Sequence, residues 1–296
     1  MNKAVITPQI HFSNQLLQVD VPMSQYVEII CVGNELLIGK TLNTNAQWLT
    51  KRVTTLGLNT RRVTVVSDDI NEISLVISGA IQRSPAFILT TGGLGPTFDD
   101  KTLEGLAKAL DTGIEINEEA LRMVKEKYLS YAQEGRMDAA ELTPHRVKMA
   151  KLPDGSKPLP NPVGTAPAVA AEHQNVTIIA LPGVPSEMKS IFDESVAPLL
   201  KQAAHGVTFF ETSIESSKVM ESEMAPLIDK VMHGNPHVYI KSHPKGTERV
   251  PRIEFHLSTT AKDSSTARKR VSNALLELTE LIQGKGGKIK AVKSET

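Results

Sequence analysis

The chain has 296 residues, 33 Lys plus Arg against 33 Asp plus Glu, a formal net charge of zero at pH 7, and 40% hydrophobic residues. That length accommodates two ordinary domains, and the balanced charge gives no electrostatic ground for nucleic acid or an anionic membrane as partner. The single cysteine, Cys31, excludes an internal disulfide, and no apolar stretch reaches signal-peptide or membrane-spanning length; a cytoplasmic location is expected.

Residues 1–25 show no sustained period and read as an N-terminal tail. An apolar strand then runs from Val27 to Val32, with Cys31 as a small buried hydrophobe, and leads into Gly33-Asn34-Glu35-Leu36-Leu37-Ile38-Gly39-Lys40. A helix follows, carrying Leu42, Ala46, Leu49, Val53 and Leu56 at helical spacing and ending at Gly57. Arg61 to Val66 reads as a strand, Asp68-Asp69 as a helix start, Ile70 to Ile81 as the helix, and Ala86 to Leu89 as the next strand. Strands separated by helices of that length need crossover connections, so the spacing predicts a mostly parallel sheet covered on both faces. Such sheets bind ligands beyond the carboxyl ends of their strands.

The next connection, Thr90 to Thr102, joins a glycine-rich turn to the adjacent carboxylates Asp99 and Asp100. Glycines let a backbone approach an anion closely and turn N–H groups toward it. Two aspartates beside a phosphate would repel it unless a divalent cation lay between. The bland alternative makes Asp99 the N-cap of a helix with Asp100 in its first turn. The loop lacks the Gly-Lys-Ser/Thr ending of a P-loop, and Phe98 stands where a dinucleotide fingerprint needs glycine.

Helices are expected from Asp99 and from Asn117, followed by an irregular Pro-dense span from Pro153 to Pro167 with at most a short edge strand. Val176 to Leu181 is another strand, and Pro182-Gly183-Val184 leads into a helix from Pro185 toward Leu200, a third strand-end loop opening a helix. After His205-Gly206 the order becomes β-α-β-β-α: Phe209–Ile214, Lys218–Met232, His237–Ser242, Arg252–Thr260 and Ser264–Ile282. The domains are therefore expected at 26–205 and at 206–296. The second has a basic loop, His243 to Arg249, and a basic tail, Lys285 to Lys290. No aromatic platform accompanies them, which argues against nucleic acid.

No His-x-His or His-Glu-x-x-His pattern occurs, so any metal should be a hard cation held by oxygen. Asp99 and Asp100 are the first candidates for ligands. Glu35, on the neighbouring strand-end loop, is a ligand, a general base, or a cap. Of Asn43 and Asn45, capping explains one and leaves the other spare. Asn161 and Thr165 either bind a ligand or pin the Pro-rich loop. Lys148 either faces a phosphate or lies at the surface. No Gly-x-Ser-x-Gly elbow supports a serine nucleophile.

Four strings, in order, resemble the N-terminal domain of the competence/damage-inducible CinA family, within the molybdopterin-binding folds that include MoaB and MogA. They are Gly33 to Gly39 with Asn43-Thr44-Asn45, Thr91 to Thr97 with Asp99-Asp100, Asn161 with Gly164-Thr165-Ala166-Pro167, and Leu181 to Met188. The resemblance spans about Val27 to Leu200. It implies a three-layer α/β/α domain that binds a pterin or a nucleotide above its sheet, followed by a small two-layer α+β domain. It also implies metal-dependent hydrolysis of ADP-ribose to AMP and ribose 5-phosphate, or molybdopterin binding or adenylylation. A third alternative is a non-catalytic regulatory protein on the same fold.

By position, the resemblance assigns Glu35, Asp99 and Asp100 to catalysis, the two aspartates holding Mg²⁺ or an ion such as Mn²⁺, Co²⁺ or Ni²⁺. Ligand binding falls to Gly33, Asn34, Asn45, Gly92, Gly93, Leu94, Gly95, Thr97, Asn161, Gly164, Thr165, Pro182 and Gly183. Asn34 stands where many relatives have Asp, and Ala168 where Gly is common. The chain looks most like the shorter archaeal-type members, without the C-terminal deamidase domain, and a homo-oligomer is expected from the family.

Overall fold

A computed structural model describes residues 26–138, 140–246 and 251–292. The expected N-terminal tail and Thr247–Arg249 of the basic loop lie outside the described residues. The chain forms two compact units, one reaching to Phe210 and taking in Ala261–Ala267, the other built from Glu211–Thr260 and from Arg268 onward.

The first unit opens with β1 (Tyr26–Val32), every residue of which is buried, and a short α1 (Asn34–Leu37). The helix α2 (Thr44–Thr55) is capped by Asn43, whose side chain accepts from the Ala46 N–H. Gly57 ends the turn after α2 at φ +88, where a Cβ would lie 2.3 Å from the Val207 carbonyl oxygen, so only glycine fits. Then come β2 (Asn59–Val66), α3 (Ile70–Gln82) capped by Asp69, and β3 (Phe87–Thr91). The next helix, α4, spans Thr102–Ala109 with Lys101 at its cap and no side-chain cap bond. The expected helix start at Asp99 is thus displaced: the Thr102 hydroxyl and N–H fold back onto the carbonyls of Gly92 (2.7 Å) and Gly93 (3.1 Å), leaving both aspartates in the preceding turn.

Beyond β4 (Ile114–Ile116) lie α5 (Glu118–Gln133), capped by Asn117 as expected, and the one-turn α6 (Pro144–Lys148). The strand β5 (Lys151–Pro153) ends where the Pro-dense span begins, and the span itself supplies β6 (Lys157–Leu159). After it, β7 (Ala168–His173) and β8 (Val176–Leu181) form an antiparallel pair. The strand β7 was not expected because its alanines carry little strand preference; burial between neighbours overrides that. Pro185 sits in the first turn of α7 (Pro185–Ile191), which continues through a π-helical stretch, Phe192–Val196, into α8 (Ala197–Ala203).

The main sheet runs β2-β1-β3-β8-β7-β6, with β2, β1, β3 and β8 parallel. Alternation sends Val27, Ile29 and Cys31 to one face, against Leu49 and Val53 of α2 and Met188 and Ile191 of α7. Ile30 and Val32 go to the other face, against Ile73 and Ile77 of α3 and Leu106 of α4. The result is the expected three-layer α/β/α architecture, and each fully buried Ile or Leu contributes about 1.5–3 kcal/mol. The other unit contains α9 (Glu221–Gly234), β10 (Tyr239–Pro244), β12 (Lys288–Ala291) and most of β9 (Thr208–Ser217), β11 (Arg252–Ala261) and α10 (Ser264–Gly284), with sheet order β10-β11-β9-β12. The strand β12 replaces the expected basic tail. Its lysines alternate with Ile289, and it pairs antiparallel to β9.

Candidate functional site

Because β1, β3 and β8 are parallel neighbours, their carboxyl ends lie side by side, and the loops they release enclose a cleft of about 420 Å³. Of the residues singled out in the sequence, Gly33, Glu35, Asn45, Gly92, Gly93, Leu94, Gly95, Asp99, Asp100, Thr165, Pro182 and Gly183 line it. Segments as far apart as Gly33 and Gly183 meet because crossover helices return each strand beside the last.

The floor is dense. A Cβ on Gly92, at φ +105, would lie 2.2 Å from the Val32 carbonyl oxygen, and one on Gly183 would lie 3.3 Å from the Gly92 Cα. Asn45 is the spare asparagine of the pair beside α2. Its amide nitrogen donates to the Thr91 hydroxyl (3.0 Å) and to the Gly183 carbonyl (2.8 Å). Thr91 in turn donates to the Pro182 carbonyl at 2.9 Å. These bonds tie the first turn of α2 to the strand ends of β3 and β8. The Oδ1 of Asn45 is buried without a partner among the described residues.

The acidic turn is organised around Thr97. Its N–H donates to Asp100 Oδ2 at 2.8 Å, and its hydroxyl contacts both Asp100 Oδ2 (2.6 Å) and Asp99 Oδ1. The Thr97 hydroxyl, the backbone N–H of Asp99 and the charges of Lys148 and Lys101 hold the Asp99 carboxyl below its ordinary range. Lys148 neither faces the cleft nor hangs free: its ammonium donates to the carbonyls of Asp100 (2.6 Å) and Thr97.

Four expected residues are not in the cleft lining. Asn34 contributes its N–H to the Asp68 carboxylate at 2.8 Å. Thr97 is bonded to the two aspartates that do line the cleft. Asn161 pins the Pro-rich loop, accepting from the N–H groups of Val163 and Gly164 and donating to Ala166 and to Glu187 Oε2 (2.7 Å). Gly164 is packed under Glu187, whose carboxylate a Cβ would meet at 2.0 Å. The bonds of Asn161 to Val163, Gly164 and Ala166 are the ones by which it pins the Pro-rich loop.

Two lining carboxylates escaped the sequence reading, Asp68 and Glu187. Asp68 is traceable as one of an adjacent acidic pair of which a helix needs a single member as cap, and Asp69 is that cap, accepting from Asn71 and Glu72. Glu187, in the first turn of α7, looks like ordinary helix-dipole chemistry until the fold brings it to the loop. Among the described residues no three His, Cys, Asp or Glu side chains gather closely enough to enclose a metal by themselves. No helix among them is long and apolar enough to cross a membrane.

Residues 28–202 match the family described as "Probable molybdopterin binding domain". The chain is 45% identical over 260 residues to a protein of Pyrobaculum arsenaticum, covering 88% of this chain and 95% of that one. It is 43% identical over 265 residues to a protein of Sulfurisphaera tokodaii, covering 89% and 97%. Among solved structures it is similar to the protein CinA, of unknown function, from Thermoplasma acidophilum. The two share 41% identity with a TM-score of 0.53, over 58% of this chain and 96% of that one. The chain therefore belongs to the molybdopterin-binding domain family of MoaB and MogA, as a CinA-like member.

Proposed function

We propose that the cleft is the active site of a divalent-cation-dependent hydrolase that cleaves a phosphoanhydride in substrates such as ADP-ribose, releasing AMP and a sugar phosphate. The observation that carries this reading is the meeting of Asp99 Oδ1 and Asp100 Oδ2 at the one hydroxyl of Thr97, beside the Gly92–Gly95 turn. A single hydroxyl hydrogen serves only one of two carboxylate oxygens. The ammonium of Lys148 bonds backbone carbonyls and neither carboxylate, so carboxylate oxygens are left to face the cleft. A phosphate enters such a place only with a cation between.

The donor set, hard oxygens from two carboxylates, fits Mg²⁺ or Mn²⁺, which complete their shells with phosphate oxygens and water. Such an ion, when bound, polarises a phosphoryl oxygen and acidifies water. Asp99 and Asp100 would hold it. The Gly92 N–H is already committed to the Leu181 carbonyl and that of Thr97 to Asp100. The phosphate donors are accordingly the N–H groups of Gly93, Leu94 and Gly95. Glu35, whose carboxylate lies over Gly33, would take the proton as water attacks phosphorus and the second phosphate leaves.

Incubation of the purified chain with ADP-ribose and Mg²⁺, Mn²⁺ or Co²⁺ tests this. AMP should form with metal and not with EDTA; no AMP under any of these conditions removes the hydrolase. The family favours a second reading, in which the same turn holds molybdopterin by its phosphate without cleavage. Saturable molybdopterin binding in the absence of ADP-ribose turnover would put that reading first.

A further inference from the structure

Resting on that phosphate reading, we propose that Leu42 and Val184 form a seat for the ring of the ligand, an amino-substituted heteroaromatic such as a purine or pterin. Both line the cleft, and both leave apolar surface in water, Leu42 at 81% and Val184 at 51% exposure. They sit where two helices begin, Leu42 just before the Asn43 cap of α2 and Val184 at the cap of α7. These helices pack on the same face of the sheet, whereas the glycine turn feeds α4 on the opposite face. The cleft thus runs from the flank that carries Leu42 and Val184, among polar neighbours such as Asn43 and Thr44, to the glycine turn. A ligand whose phosphate sat on the glycine turn would reach Leu42 and Val184 without leaving this cleft.

Asn45 joins the two parts of the seat, since its bond to the Gly183 carbonyl fastens the segment carrying Leu42 to the residue before Val184. Both of its amide hydrogens are spent, and its buried Oδ1 lacks a donor. An amino group on the ring edge supplies one. Lone exposed aliphatics on a protein surface need no explanation; two from separate loops, lining one cleft beside an orphaned acceptor, do.

The test is calorimetric titration of the full chain, in Mn²⁺, with AMP, ribose 5-phosphate, adenosine and unsubstituted pterin, repeated with the L42S/V184S variant. Wild type should bind AMP at least about tenfold more tightly than ribose 5-phosphate, and the variant should bring the two within about twofold while leaving ribose 5-phosphate unchanged. A variant that keeps the AMP preference, or weakens both ligands equally, overturns the seat. So does one that changes only the sedimentation coefficient, which would make this lip a contact between copies of the chain. If ribose 5-phosphate binds and AMP gains nothing over it, the seat falls and the phosphate reading stands. If neither phosphate binds but adenosine or pterin does, and the variant abolishes it, the seat stands and the phosphate reading falls.

Discussion

The ammonium of Lys148 donates to the carbonyl oxygen of Asp100 at 2.6 Å and also to that of Thr97, bridging 48 residues of sequence to grip the acidic turn from behind. Every described peptide bond is trans, so drawing those two carbonyls toward Lys148 turns the N–H groups that follow them in the opposite direction. The same residue that biases Asp99 toward its charged form therefore also fixes the backbone that presents it.

Replacing Lys148 by Met should loosen this turn. Hydrogen bonds from a charged donor contribute about 1.5–3 kcal/mol, so amide exchange across residues 98–101 should accelerate about tenfold or more, with Lys148→Arg recovering much of the protection. Hydrogen-exchange mass spectrometry reads this directly in the ligand-free chain. Unchanged exchange in Lys148→Met would mean that the turn holds itself and Lys148 is a bystander.

Asp99→Asn should cut any metal-dependent turnover by about 10²–10³-fold, the scale seen when one electrostatic contact to a developing charge is removed. Asp99 is exposed and makes its bonds only within the turn, so the thermal midpoint should hardly move. Initial rates and a melt on the same preparation check both halves. A variant that melts early loses its meaning for catalysis, and Glu35→Gln, equally exposed, then serves in its place.

The pH dependence of that carboxylate has a definite sign. Its folded-state pKa is depressed, chiefly by the Thr97 hydroxyl and then by its own backbone N–H and the lysines. Its contribution to stability is therefore fully present above the ordinary aspartate value near ~3.9 and is lost only as pH falls through the lower folded value. Carboxyl-carbon NMR should show Asp99 titrating below the other exposed aspartates, and Thr97→Val should bring it back toward them.

Parallel strands, crossover helices and the convergence of three loops were legible because each is written locally, in apolar runs bounded by glycine, proline or a cap. What escaped was set by partners distant in sequence. Asp99 has the chemistry of an N-cap, yet Thr102 reaches back to Gly92 and moves the helix start past it. Half of the residues of β7 are alanine, and its pairing with β6 on one side and β8 on the other holds it extended. Lys148 looks like any surface lysine until the fold sets two carbonyls before it. Asn161 and Gly164 belong to the expected site by motif, but they build the loop and leave the lining to Thr165 and Glu187.

Glu28 sits within the apolar run Val27 to Val32, and it is the charge that strand can least tolerate alone. It lies at 2% exposure in β1 and is held by the Arg83 guanidinium through two bonds, Nε to Oε1 at 2.7 Å and Nη2 to Oε2 at 2.6 Å. Arg83 is raised above its ordinary pKa, first by that pairing, and its own carbonyl accepts from the Tyr26 hydroxyl. Arg61 stacks over the Tyr26 ring at 4.3 Å, closing the end of the sheet opposite the cleft. Removing the arginine leaves a buried carboxylate without its partner, which costs 3–5 kcal/mol where both groups are enclosed. With the Arg83 side chain 34% exposed, Arg83→Met should cost about 3 kcal/mol, the low end of that range. Adding Glu28→Leu should restore more than half, because an apolar pair of similar volume needs no desolvated charge. Urea unfolding of the two variants and the parent decides it: a loss below about 1 kcal/mol in Arg83→Met, or no recovery in the double variant, would show that Glu28 finds water or another donor when the arginine is gone.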